Sequence, residues 1–342
     1  MWSLCSLLLW AGQPPEDWQK LEAVHLKNIR QVTTGFVRAG EGYFSPDSSH
    51  IIFQAEEKGD NPFYQMFVQN LDTGRFTRVS PGIGKTTCGY FSPDGKKIIF
   101  ASSHLDPDAK KHYGAEKELR DQEKATKKRR RYSWDFDSHM KIFVANPDGT
   151  GMKCLTDAAG YNAEGSYSPD GKRIVFCSNR GDAANLELFI MDADGSNVRQ
   201  LTKAPGCYNG GPFFSPDGKR VIFRSDRKKK DHLQLYVING DGTSERALTD
   251  EPNWVFWAPY WQKDSRHIIY TAADHGDPKA RPNYDVYWRD VDGTGKPIRI
   301  TFAPGADVLP VTNANGTKLM WTTVRDGNPA AQLYIADFTP PK

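Results

Sequence analysis

FSPDGKKIIF at residues 91–100 returns as YSPDGKRIVF at 167–176 and as FSPDGKRVIF at 214–223. A looser copy, FSPDSSHIIF, occupies 44–53, and two degenerate ones follow, WQKDSRHIIY at 261–270 and TNANGTKLMW at 312–321. Aligned on one turn residue, the six copies fall at Asp47, Asp94, Asp170, Asp217, Asp264 and Asn315, spaced by 47, 76, 47, 47 and 51 residues. Self-similarity at such a period is the mark of a repeat architecture and decides the fold before any single element does.

Within a copy, an apolar strand enters Ser-Pro-Asp-Gly, where Pro sets φ, Asp bonds nearby backbone amides and Gly accepts a positive φ. A β-branched strand follows, as in IIFAS (98–102) or VIFRS (221–225). A third strand, such as LFIMD (188–192) or LYVIN (235–239), then meets an Asp-Gly turn at 148–149, 194–195, 241–242 or 292–293. Asp-Gly between alternating apolar residues is a strong hairpin signal. The fourth strand ends in Leu-Thr, as in RQLT at 199–202. Four antiparallel strands repeated six times predict an all-β chain folded as a six-bladed β-propeller with four-stranded blades.

The last copy stops after its third strand, LYIADF at 333–338, while Arg30-Gln31-Val32-Thr33 near the start matches RQLT. The ring is therefore expected to close with the N-terminal strand completing the last blade. An open solenoid would leave that edge bare and prone to aggregation. The expected organisation is a signal peptide over 1–12, an extension over 13–29, the propeller over 30–338 with a helical insert at 104–139 in blade two, and a tail over 339–342.

Composition agrees. Of 342 residues, 45 are Lys or Arg and 42 Asp or Glu, a net charge of +3 that gives no reason to expect nucleic acid as a partner. At 38% hydrophobic residues, no stretch supplies the about 20 apolar residues of a spanning helix. The run MWSLCSLLLWA at 1–11 reads as an export signal without a basic start, which predicts a periplasmic or secreted protein. Five cysteines without CxxC spacing form neither a disulfide framework nor a zinc site. A monomer is expected.

SPDGK-x-I-x-F followed by Ser-Asn-Arg (178–180) or Ser-Asp-Arg (225–227) resembles the propeller repeat of TolB, the periplasmic component of the Tol–Pal system. The likeness spans about residues 30–338. The same repeat belongs to the propellers of prolyl-oligopeptidase-type peptidases and of oligogalacturonate lyases, so it implies fold far more strongly than function. TolB carries a separate N-terminal α/β domain, whereas about 29 residues precede the repeats here.

Strand alternation places every Ser-Pro-Asp-Gly and Asp-Gly turn on one face. The other face receives the variable loops and the inter-blade connections, which makes it the functional candidate. Those connections carry Tyr161, Asn162 and Glu164 into blade three, Tyr208 and Asn209 into blade four, Trp254 and Trp257 into blade five and Asp307 into blade six. Tyr, Trp and Asn around a pore suit peptides or sugars through stacking and hydrogen bonding, although they equally suit a plug. Glu164 has three readings: it binds a cation, takes a proton or pairs with a basic neighbour.

His104-Leu105-Asp106-Pro107 and His275-Gly276-Asp277-Pro278 end equivalent strands on opposite blades, either as repeat drift or as ligands to an ion across a narrow channel. The insert contains a candidate helix over Tyr113–Lys128, then Arg129, Arg130 and Arg131 and Trp134, which read as a solvated flap or an anion-binding arm. No G-x-S-x-G, P-loop, HExxH or EF-hand pattern occurs. The leading expectation is a scaffold that binds a protein or peptide, without a cofactor. The alternative is a lyase-like enzyme with a divalent cation in the channel, using Glu164 with His104 or His275 on an acidic oligosaccharide.

Overall fold

Serine and aspartate set the local geometry of each Ser-Pro-Asp turn. In four blades the Ser hydroxyl donates to the Asp carboxylate at 2.6 Å: Ser45 to Asp47, Ser92 to Asp94, Ser168 to Asp170 and Ser215 to Asp217. The same hydroxyl accepts the N–H five residues on, from His50, Lys97, Arg173 and Arg220, at 2.9–3.0 Å. The carboxylate also accepts the N–H two residues on, at 3.1 Å. Each turn thereby starts the second strand of its blade in a fixed register. Neighbouring turns touch around one face, with Gly95 against Pro46, Gly171 against Pro93 and Gly218 against Pro169.

The protein is seen in a computed structural model that describes residues 15–341 apart from 129–135, 181–184, 278, 281, 294 and 329. Six antiparallel four-stranded sheets form the blades of a β-propeller. Their innermost strands are Arg38–Phe44, Thr86–Phe91, Asn162–Tyr167, Asn209–Phe214, Trp254–Trp261 and Asp307–Thr312. The second strand Ile98–Ser102 is buried along its whole length and the other second strands along all but their ends, since each blade is covered on both faces by its neighbours. Their Ile, Val and Phe side chains make the core between blades, as Ile51, Phe100, Val175 and Phe223 do.

Leu26–Gln31 pairs antiparallel with Gln332–Phe338 and completes the sixth blade, as the RQLT match predicts. A short helix, Trp18–Glu22, fastens this closure from outside. The Glu22 carboxylate accepts two bonds from the Arg325 guanidinium at 2.7 and 2.8 Å and caps the N–H groups of Phe302 and Ala303. In the blade-two insert the helix runs Lys111–Thr126 and buries no residue. Arg120 tethers it to Glu56 and to the Pro62 carbonyl, and the Tyr113 hydroxyl accepts the Gly84 N–H. Among the described residues, no helix is long and apolar enough to cross a membrane.

Ser168→Ala removes a fully buried hydroxyl that serves two partners, and is expected to cost about 1–3 kcal/mol in urea unfolding. The turn bonds hold the carboxyls of Asp47, Asp94 and Asp170 below the usual aspartate range, with Asp47 at about 2. A carboxyl depressed on folding stabilises above its unfolded pKa of about 4, and that contribution disappears as the pH falls through the folded value. The melting temperature is accordingly expected to fall between pH 4 and pH 2, and to fall less in the triple Asp→Asn variant at these three positions.

Candidate functional site

Each innermost strand carries a bulge at the same point of the repeat. The residue six before the turn aspartate adopts a positive φ in every blade: Glu41 (46°), Cys88 (55°), Glu164 (55°), Gly211 (58°), Ala258 (50°) and Leu309 (56°). Pairing with the second strand slips there in all six blades. A bulge with left-handed backbone redirects its side chain, and five of the six residues here are not glycine. All six line one central cavity of about 430 Å3.

Two residues further along each strand, nearer the turn face, stand Tyr43, Tyr90, Phe213 and Tyr260. Their rings pack together across the axis, Tyr43 on Tyr90 at 5.2 Å and Phe213 on Tyr260 at 5.3 Å, and the Tyr90 and Tyr260 hydroxyls lie 3.4 Å apart. Blades three and six carry the smaller Ser166 and Val311 at this level. The aromatic quartet floors the cavity, and on the opposite, loop-bearing side its lining includes Phe63, Tyr64 and Tyr161.

Charge is distributed unevenly around the wall. Glu164 is 6% exposed and pairs with Arg224 of the neighbouring blade at 3.0 Å. It also accepts the Gly211 N–H at 2.5 Å, with the Tyr161 and Tyr208 hydroxyls 3.4 and 3.3 Å from Oε1. Gly211 leaves space for this pair: a Cβ at that position would meet the Arg224 guanidinium and displace it. Burial works against the charge on Arg224, but Tyr208 and Glu164 outweigh it and raise the guanidinium pKa above its ordinary value. Of the three readings of Glu164, the geometry shows the pairing with a basic neighbour.

Glu41 is differently placed. Its nearest hydrogen-bonding neighbours are the Tyr43 hydroxyl at 3.4 Å and the Cys88 thiol, and among the described residues it has no ion-pair partner. Burial, and then the charge of Glu164, push its carboxyl up to about 7. The sequence reading missed Glu41, although the signal was present: it precedes Asp47 by the same interval that separates Glu164 from Asp170.

The other expected site residues divide by depth. Tyr161 and Trp257 line the cavity, and Tyr208 lies behind it on Arg224. Asn162, Asn209 and Asp307 share one repeat position and are wholly buried. Each holds an arginine: Arg180 at 2.9 Å, Arg227 at 2.5 Å and Arg325 at 2.7 Å. This explains the Ser-Asn-Arg and Ser-Asp-Arg signature. The Ser and Arg side chains meet, Arg stacks on blade aromatics, and Asn179 or Asp226 accepts the N–H of Tyr161 or Tyr208 at 2.7 Å.

Trp254 stands against Phe256 and Tyr287, away from the cavity lining. His104 bonds Ser102 and packs on Phe143, while His275 bonds the Tyr284 hydroxyl at 2.8 Å. Neither lines the cavity. Among the described residues, no group of three or more His, Cys, Asp or Glu converges to hold a metal ion. Arg129, Arg130, Arg131 and Trp134 lie outside the described residues, as does the expected signal peptide over 1–12.

A search of known structures matches this ring over nearly its whole length. A protein assigned as TolB from Agrobacterium tumefaciens superposes with a TM-score of 0.59 at 18% identity, covering 91% of this chain and 94% of that one. The fold is TolB-like. An oligogalacturonate lyase from Vibrio parahaemolyticus superposes with a TM-score of 0.52 at 13% identity, covering 90% and 93%. Sequence relatives match shorter stretches of this TolB-like propeller. Dipeptidyl-peptidase 5 of Porphyromonas endodontalis is 32% identical over 76 residues, and a TolB homologue of Chlorobium luteolum is 33% identical over 64. Those stretches are 22% and 19% of this chain but only 11% and 14% of the relatives' own lengths. No family model matches the chain.

Arg224→Met leaves the Glu164 carboxylate buried without its counter-charge and is expected to destabilise the ring by about 3–5 kcal/mol in denaturant unfolding. Adding Glu164→Gln is expected to recover most of that loss. A double variant no more stable than the single one would show that the pair does not act as a unit.

Proposed function

We propose that this chain is an exported, non-catalytic TolB-like propeller that grips a protein or peptide on its loop face, with one side chain of the partner entering the central cavity. The one-ended cavity carries the proposal. It opens among loops of unequal length, is floored by packed aromatics, and at about 430 Å3 suits one large side chain or a dipeptide-sized group. Phe63 and Tyr64, half-buried in its lining, offer flat, rigid contact area of the kind that interfaces favour. The apolar run at residues 1–11 supports the export part of this reading.

The lyase-like alternative draws less support from the same residues. Abstracting a proton beside a uronate carboxylate needs a base together with a cation or an available arginine. Among the described residues, Arg224 is the arginine beside Glu41 and Glu164, and it is paired with Glu164. No histidine lines the cavity, so its donor set does not fit a divalent cation held by histidines.

Selection of random displayed peptides against the protein, followed by calorimetry on the winners, tests the proposal. Leu309→Arg, which fills the cavity, is expected to weaken selected peptides at least about tenfold. Asp148→Arg, on the turn face, is expected to leave them unchanged. Winners insensitive to Leu309→Arg, or release of unsaturated uronates from acidic oligosaccharides by the purified protein, would overturn it.

A further inference from the structure

The six bulge residues form a ring whose two halves differ in chemistry. Blades one to three contribute Glu41, Cys88 and Glu164, and blades four to six contribute Gly211, Ala258 and Leu309. With Arg224 set against Glu164, Glu41 is the carboxylate of the ring that has no ion-pair partner among the described residues. The cations at the cavity mouth do not supply its partner. Arg38 is bound to Glu56 at 2.8 Å and lies over the Tyr64 ring, and Lys85 is bound to Asp137 at 3.2 Å and lies over Phe63.

We infer that the cavity receives an ammonium group on an apolar stem, with the ammonium at Glu41 and the stem along the Leu309–Pro310 wall. This rests on the binding function proposed above and names the partner's anchoring chemistry. The aromatic floor suits the same guest, because Tyr43, Phe213 and Tyr260 line the cavity and aromatic rings attract a nearby cation. An anion would meet Glu41 and Glu164 with Arg224 already taken. A neutral apolar side chain would gain nothing from Glu41, which would keep its proton beside such a guest. Two sources carry the right chemistry, a lysine side chain and a peptide amino terminus.

The groups facing Glu41 are Tyr43 on its own strand, Cys88 of blade two, Glu164 of blade three and Arg224 of blade four, and burial and Glu164 outweigh the rest in raising its carboxyl to about 7. An incoming ammonium favours the ionised form, so binding near pH 7 releases a fraction of a proton and weakens as the pH falls below 7. A stem merely packed in the cavity would release none.

The test is calorimetry at pH 7 in two buffers of different ionisation enthalpy, with three tripeptide amides as probes. They are acetyl-Ala-Lys-Ala, Ala-Leu-Ala with a free amino terminus, and acetyl-Ala-norleucine-Ala as the neutral control. One amine probe is expected to bind at least about tenfold tighter than the control, with proton release, and which one it is identifies the source. Glu41→Gln, with an unchanged melting curve, is expected to abolish both the preference and the proton release. Equal binding of all three probes, no binding of either amine probe, or a preference that survives Glu41→Gln would overturn the assignment. Should displayed peptides still be selected and still be lost in Leu309→Arg, the ammonium assignment falls while the binding function stands. Failure to select any cavity-dependent peptide removes the binding function itself.

Discussion

Six strands run around one axis without pairing with one another as sheets, and each meets that constraint by placing a left-handed residue at the same point of the repeat. The bulge turns that residue toward the central cavity, presenting a side chain in five blades and glycine in the fourth. Everything distinctive about the cavity follows from which residue holds that position. Glycine in blade four makes room for Arg224, Arg224 neutralises Glu164 from the next blade, and among the described residues no second such arginine pairs with Glu41. The aromatic level immediately beyond turns what would be an open channel into a cup.

Outside the axis the structure is a repetition of two locks. On one face, Ser-Pro-Asp turns close each hairpin and touch their neighbours, so the hydroxyl and carboxylate that look polar and available are consumed locally. On the other face, the Ser-Asn-Arg and Ser-Asp-Arg groups tie the start of the innermost strand to the end of the second. Buried Asn162, Asn209 and Asp307 accept an arginine each. Blade six uses the same position differently, adding Glu22 from the N-terminal helix so that the lock also seals the ring. The polar residues most characteristic of the repeat are thus architectural. The residues free to differ among blades are those at the axis and on the loop face, where a TolB-like fold keeps its individuality.

Much of this was legible in the chain itself. The turn motif determined the blade count, the strand order and the closure, because proline, aspartate and glycine dictate φ and hydrogen bonding within four residues of one another. It equally marked Glu164 as a residue at the axis. The repeat register would have marked Glu41 as well, had every copy been read at the same offset. Asn162, Asn209 and Asp307 stood out by position but not by role, since burial depends on the arginines that close over them.

What the tertiary structure alone decided is which of these residues meet. Residues 41, 88, 164 and 224 come from four different blades, and no local pattern pairs a carboxylate with an arginine sixty positions away. The same holds for the floor, where tyrosines 170 residues apart touch. The histidines at 104 and 275 looked equivalent in sequence, yet each found its own neighbour and neither reached the cavity. Turn chemistry acts over a few bonds and is written into the chain. The charge balance of the cavity depends on ring closure, which brings distant side chains to a common axis and removes water from around them.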